Sequence, residues 1–526
     1  MTAFGRAAED RPTPPEVYNW RVYAASLAIS MGLLTYGYDS AFIGTTITQK
    51  SFKSDFGLDA MTKAQQNAVS SNLTNSAGGF FGAFFMFFSM ELLGRKKTAI
   101  ISDAIFILGA ILCTVPTHQL GMIYAGRLLT GLGVGGLAAV SPIYTSEIAP
   151  PAIRGRLTGF FESSYQIGAV IGFWINYGVV HNINGNDSKA WRIPSQPRNT
   201  ELGERTLTYM TAVAVQLIPA GILALMLPLV KESPVWLLKK GRDEDAYRVY
   251  SYLRNLTPDH QYIAEDVSFV KGQIESERAI STGSDPSFTA FLKGALKESL
   301  MKGIRNRFAL VFLMFMWQAW SGAAAINYYS PTIFASIGLT DVTFWTGIYG
   351  LIKAAGSVIF LPFSLTNSYY LAGYIAVGKP SLTALQSPST IAGGKAATAF
   401  IMIFGGMWSF GANGLPWIIS SEIFPSSLRS ISGPFAAMSV WLWTYVVTKA
   451  LPSMYTSMGY GVYIFFASTL VCASVYAFFF IPETKGLRID QMDQLFGFTK
   501  LESISLAVKE EEHPYTKEDI FQAEVV

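Results

Sequence analysis

Cysteine, histidine and charge are all scarce in this chain of 526 residues. Its two cysteines, Cys113 and Cys472, fall in apolar runs, which excludes a disulfide framework and makes them packing residues. Four histidines, His118, His181, His260 and His513, are scattered and match no metal-ligand spacing. Neither a nucleophile elbow nor a P-loop occurs. The chain is therefore expected not to be an enzyme and to use no metal and no cofactor. Only 14% of the residues are charged, and a formal net charge of +3 is too small for a nucleic-acid partner. The start, MTAFGRAAEDRPTPPEVYNWR, is polar and Pro-rich and lacks the pattern of a cleavable signal. The first apolar run is expected to be its own targeting signal.

Apolar length is what the chain has in abundance. Half of its residues are hydrophobic and the mean hydropathy is +0.32. Eleven runs stand out, near 21–43, 70–90, 98–115, 120–141, 158–180, 208–230, 308–336, 343–365, 397–418, 431–453 and 459–481. Each is about 20 residues, enough to cross a hydrocarbon core of ~30 Å. Helices satisfy their own backbone groups in a lipid bilayer, so an all-α membrane protein is predicted.

The chain also repeats itself. SEIAPPAIRG at 146–155 returns as SEIFPSSLRS at 421–430, each with a Glu seven residues before an Arg. KESPVW at 231–236 is echoed by IPETKG at 481–486. Two similar membrane halves joined by a polar middle form the plan of a secondary transporter. The expected parts are an N-terminal segment (1–20), a first half (21–238), a polar linker (239–307), a second half (308–486) and a tail (487–526). Arg95, Lys96 and Lys97 follow the second run, Arg154 and Arg156 the fourth, and the linker is rich in Lys and Arg. Basic loops stay cytoplasmic, so both termini and the linker are predicted inside. Loops 44–69, 181–206 and 378–395 then lie outside, with a glycosylation sequon at Asn186.

Eleven runs do not make two equal halves. Arg95, in the basic turn ELLGRKK, lies 52 residues before Glu147, and the same offset before Glu422 lands at Tyr370. No Arg or Lys lies between Lys353 and Lys379. By the repeat, one basic loop and most of a ninth helix are absent between Pro362 and Tyr370, and residues 192–210 lengthen an outside loop. Either the protein is atypical or its exon boundaries are wrong at both places; for the ninth helix, loss through an incorrect exon boundary is expected.

Several motifs occur together: GRKK, YAGRLLTGLGVGG, SEIAPPAIRGRL, ESPVWLL, INYYSP, PWIISSEIFP and PETKG. They resemble the sugar porter family of the major facilitator superfamily over about 20–490. EDRPTPPEVYNWRVY, GYDSAFIGTT, GFWINYG and QLIPAG look most like fungal quinate permeases. The resemblance implies twelve helices in two six-helix halves. It also implies a plasma-membrane carrier, monomeric, for a small polyhydroxylated substrate (quinate, a monosaccharide or a sugar acid) with a proton. Phe87 stands where the family has Gly, and Val235 where it has Arg. In the seventh run Ala319 and Ala324 replace a Gln and an Asn, which weakens ordinary glucose recognition, because a lost buried partner costs roughly 1–3 kcal/mol.

Particular residues carry the expected chemistry. Asp39 is a carboxylate inside the first run, where charge is costly and usually functional. The resemblance assigns it proton coupling with Arg127 as counter-charge. Gln166, Gln318 and Asn327 offer amides for hydroxyls, and Trp417 offers a face for a sugar ring. Arg95, Glu147, Arg154, Glu232, Glu422, Arg429 and Glu483 sit at inner helix ends and form a cytoplasmic gate in this reading. Gly131, Gly133 and Gly136 spell GxGxxG, but no strand precedes them, and close helix packing explains them better than a nucleotide. The acidic tail from about 501 is expected to be disordered. The alternative function is a transporter-like nutrient receptor with little transport. The altered seventh run favours that alternative, and the modest tail speaks against it.

Overall fold

The computed structural model describes residues 13–47, 52–53, 56, 73–115, 119–182, 214–281, 288–339, 341–356, 388–410, 413–424, 428–481 and 496. Every regular element among them is a helix. The first half contains α1 (Trp20–Thr46), α2 (Leu73–Leu93), α3 (Arg95–Thr114), α4 (Leu120–Ile148), α5 (Arg154–Asn182) and α6 (Leu217–Met226). The linker contributes α7 (Pro234–Lys239), α8 (Asp243–Arg254), α9 (Gln261–Ser281) and α10 (Phe288–Ser299). The second half contains α11 (Lys302–Trp320), α12 (Ala323–Ser336), α13 (Val342–Gly356), α14 (Pro388–Phe410), α15 (Leu415–Glu422), α16 (Arg429–Met458) and α17 (Gly461–Phe480). Linker helices thus begin at Pro234 and end at Ser299, a few residues ahead of the boundaries read from the sequence.

Among the described residues five helical stretches are long and apolar enough to cross a membrane by length and composition: α2, α3, α4, α11–α12 together and α17. Helix α1 has 27 residues, yet it buries Ser26, Ser30, Thr35, Asp39, Ser40, Thr45 and Thr46. Its polar groups lower its hydropathy and face protein, the arrangement that makes polar residues tolerable in such a bundle.

Glycine sets the spacing inside the first half. A Cβ on Gly131 would come within 2.2 Å of the Asn75 carbonyl oxygen, and one on Gly135 within 2.1 Å of that of Gly79. Helices α2 and α4 touch backbone to backbone there, which only small residues allow. Gly133 and Gly136 face α3 through Phe106 and Ser102 in the same way. The GxGxxG is a packing seam.

Two apolar stretches of the second half are broken. Gly322, with φ +90°, separates α11 from α12, and a break before Leu415 separates α14 from α15. Trp408 Nε1 donates to Ser321 Oγ at 2.9 Å, tying one break to the other. Discontinuous helices are where transporters build their sites.

The two ends of the bundle are distinguishable. At the linker end, Asn19 Nδ2 donates to Leu253 O at 2.7 Å and Arg307 Nη1 to Ile423 O at 2.6 Å. At the far end, His181 on α5 meets Asp341 just before α13 at 3.1 Å. The chain therefore starts α13 at the far end and finishes α15 at the linker end. Backbone positions 422 and 429 lie there too. The absent loop and helix expected between Pro362 and Tyr370, the insertion at 192–210, the Asn186 sequon, Glu483 and the tail lie outside the described residues.

Candidate functional site

Asp39 and Arg127 meet in the buried first half. Arg127 Nη1 donates to Asp39 Oδ1 at 2.5 Å and Nη2 to Oδ2 at 3.3 Å, a forked contact. Asn75 Nδ2 adds a donor to Asp39 Oδ2 at 3.0 Å, and Thr130 Oγ1 holds the Asn75 oxygen at 3.2 Å. All four residues are buried. The guanidinium also lies 5.6 Å from the Phe42 ring centroid. Helices α1, α2 and α4 thus hold one acid, one base and one amide in a fixed group. The sequence pointed to the acid and the base. Asn75 was not anticipated, although an amide in an apolar run is a signal of the same kind.

A cavity lies between the halves, lined by residues of both. Gln318, Asn327 and Trp417 line it, and so do Glu162, Asn413 and Trp408. Ala319 and Ala324, the two replacements in the seventh run, also face it. Trp417 is flanked by Phe161 and Phe315, with ring centroids 5.3 Å and 5.2 Å away. Its ring is held on edge contacts from both halves and keeps a face for an apolar surface.

The polar part of the wall is a chain of amides around one acid. Gln166 is buried behind the wall, and its Nε2 donates to Glu162 Oε1 at 2.6 Å. Asn413 Nδ2 donates to the same oxygen, and Asn413 O accepts from Gln318 Nε2 at 2.9 Å. Asn413 can do both because it sits in the break between α14 and α15. On the other side, Lys353 Nζ donates to Asn327 Oδ1 at 3.0 Å. Gln166 therefore positions Glu162 and does not line the cavity. Glu162, Asn413 and Lys353 escaped the sequence reading. Glu162 and Lys353 were visible as charges inside apolar runs, and Asn413 lies in an Asn-Gly turn signal followed by Pro416.

The residues assigned to the gate separate into distinct roles. Arg95 bonds Glu147 through Nε at 3.2 Å and Nη2 at 2.8 Å, and reaches Glu91 at 3.4 Å. Ser233 Oγ donates to Glu147 as well. Glu232 pairs differently: it accepts the backbone N–H groups of Arg95 at 2.8 Å and Lys96 at 3.1 Å. It caps the N-terminus of α3, where the unpaired N–H groups attract an anion. Gly94, at φ +98°, leaves it room, because a Cβ there would lie 2.5 Å from Glu232 Oε2. All these bonds join parts of the first half. Arg154 opens α5 at the same end, and the side chains of Glu422 and Arg429 lie outside the described residues.

Comparison with known proteins decides the family. The family model described as Sugar (and other) transporter matches residues 25–496. The chain belongs to that family. A probable quinate permease of Aspergillus niger is 40% identical over 513 residues, covering 93% of this chain and 90% of that protein. A quinate permease of Neurospora terricola is 38% identical over 514 residues, covering 93% and 91%. Such relatives are permeases, not enzymes, and this chain is a membrane transporter of the major facilitator fold. Among solved structures it resembles the xylose transporter XylE from E. coli in a partially occluded inward open conformation. The TM-score is 0.67 at 21% identity, over 89% of this chain and 100% of that one. The proton:xylose symporter XylE bound to 6-bromo-6-deoxy-D-glucose gives a TM-score of 0.70 at 20% identity, over 90% and 99%. At those identities the likeness carries the fold alone.

Proposed function

We propose that the protein is a proton-coupled importer of quinate or a related monosaccharide or sugar acid. It would act at the plasma membrane, with both termini cytoplasmic, by alternating access. The observation that carries the reading is the buried Asp39–Arg127 pair beside a cavity lined by Gln318, Asn327, Asn413 and Trp417. A proton arriving on Asp39 removes the charge that holds Arg127. The freed guanidinium must then find other acceptors, which changes how α1 and α4 meet. Coupling needs such a group, which cannot change charge without rearranging its neighbours. The amides supply donors and acceptors for hydroxyls, and Trp417 supplies a face for the ring. The names of the fungal relatives and the proton:xylose symporter support the substrate class and the coupling.

The inner lock is the Arg95–Glu147–Ser233 cluster, with Glu232 fixing the α3 terminus. It holds the linker end of the first half in one shape while the halves rock. Glu422, Arg429 and Glu483 are the corresponding groups of the second half in this proposal, and Arg154 joins them at the mouth.

Uptake of labelled quinate and xylose in yeast lacking its own carriers tests the reading. Asp39→Asn is expected to abolish uphill accumulation and alkalinisation of the medium while leaving downhill exchange. Accumulation equal to wild type would refute coupling through Asp39. Binding without any uptake by the wild-type chain would favour the receptor alternative.

A further inference from the structure

Lys353 is the least explained charge in the molecule. It sits in the last turn of α13 and is 1% exposed. Its ammonium has three donors, and one goes to Asn327 Oδ1. The rest of its surroundings are aromatic: the ring centroids of Trp408 and Tyr349 lie 5.2 Å and 5.8 Å from Nζ. Rings attract a cation but do not replace a carboxylate. Among the described residues no ion pair joins Lys353 to an acid. Glu162 attracts it through space, but the bonds of that carboxylate go to the amides of Gln166 and Asn413.

A buried cation is costly unless something compensates it. Asn327 and Trp408, which touch Lys353, both line the central cavity. The ammonium is therefore one amide away from the substrate space. A neutral sugar hydroxyl can accept from the ammonium but leaves its positive charge uncompensated. A carboxylate compensates it, and a charge-assisted bond is about twice as strong as a neutral one.

We propose that Lys353 is the specificity residue for an anionic substrate, donating to a substrate carboxylate in the place where it now donates to Asn327 Oδ1. The ligand class is a small polyhydroxylated acid whose hydroxyls meet the amides of Gln318 and Asn413. Glu162 is the resident counter-charge. It balances Lys353 when the cavity holds no acid and repels a second carboxylate nearby. This inference rests on the transporter reading and narrows it from sugars in general to acids.

The test is a titration of the purified full-length protein, followed by tryptophan fluorescence, with quinate and with its neutral methyl ester. Wild type is expected to bind quinate at least tenfold more tightly than the ester. Lys353→Gln should bring the two within about twofold, and Lys353→Arg should retain the preference. Glu162→Gln should widen it at least threefold, which keeps the test informative if Lys353→Gln does not fold. The inference is overturned if wild type shows no preference, if Lys353→Gln keeps it, or if Glu162→Gln leaves it unchanged or narrows it. If xylose is taken up by the wild type while quinate and ester bind alike, the transporter reading stands and this inference falls. If nothing binds and nothing is taken up, both fall.

Discussion

Two acid–base pairs lie in the membrane part of this transporter, and they are built in opposite ways. Asp39 and Arg127 touch through a forked contact, belong to one half and are sealed by Asn75 and Thr130. Glu162 and Lys353 belong to different halves, and each spends its bonds on amides. Direct contact makes the first pair a unit that changes only when a proton or another cation intervenes. Separation leaves the second pair open to a third charge. The same chemistry thus serves a switch when the partners touch and a selector when they do not.

The largest expected effect breaks this comparison at the first pair. Arg127→Met leaves Asp39 buried without its cation, which costs about 3–5 kcal/mol. A steep fall in the melting temperature of the purified protein is expected, with little protein at the cell surface. Lys353→Met removes a charge that no carboxylate among the described residues touches, so its loss of stability should be clearly smaller. Equal losses in the two variants would erase the distinction drawn here.

The next effect sharpens it at the cavity. Gln318→Ala removes an amide that also holds the Asn413 carbonyl, and a hydrogen bond of about 1.4 kcal/mol corresponds to a tenfold rise in KM. Gln166→Ala acts only through Glu162, which keeps Asn413 as a partner. A rise of roughly threefold, about 0.6 kcal/mol, is expected. Uptake kinetics at matched surface expression measure both, and a Gln166 effect as large as that of Gln318 would put Gln166 against the substrate.

The smallest effect concerns the far end. His181 and Asp341 join the halves at 3.1 Å, but both are more than a third exposed. Exposed pairs contribute at most about 1 kcal/mol. His181→Gln should leave the melting temperature nearly unchanged, whereas Glu147→Gln, which strips Arg95 of its main partner, should lower it measurably.

Much of this was legible in the sequence for one reason: hydrocarbon makes charge and breaks conspicuous. The helical spans, Asp39 and the amides Gln318 and Asn327 follow from apolar runs with polar exceptions, whereas the pairing of Asp39 with Arg127 follows from the family resemblance. The same rule applied to the runs at 158–180 and 343–365 would have singled out Glu162 and Lys353. They were hidden by motifs that drew attention to their neighbours. Other features depend on three-dimensional proximity that no spacing encodes. Glu232 lies 137 positions from Arg95, and nothing in KESPVW says that its acid caps α3. Asn413 bonds Glu162 across 251 positions, because the break between α14 and α15 brings it against α5.

The first two linker helices are fastened to the first half. Trp236 Nε1 reaches Glu91 O at 3.2 Å, Arg254 Nη1 reaches Ile148 O at 2.7 Å, and Arg21 Nη1 on α1 reaches Tyr252 O at 3.1 Å. Helices α7 and α8 are therefore passengers of the first half. A fluorophore at Glu244, whose side chain is 91% exposed, would ride on that half as a pointer. Paired with a second dye on the opposite half, it would read the rocking of the halves directly, one molecule at a time.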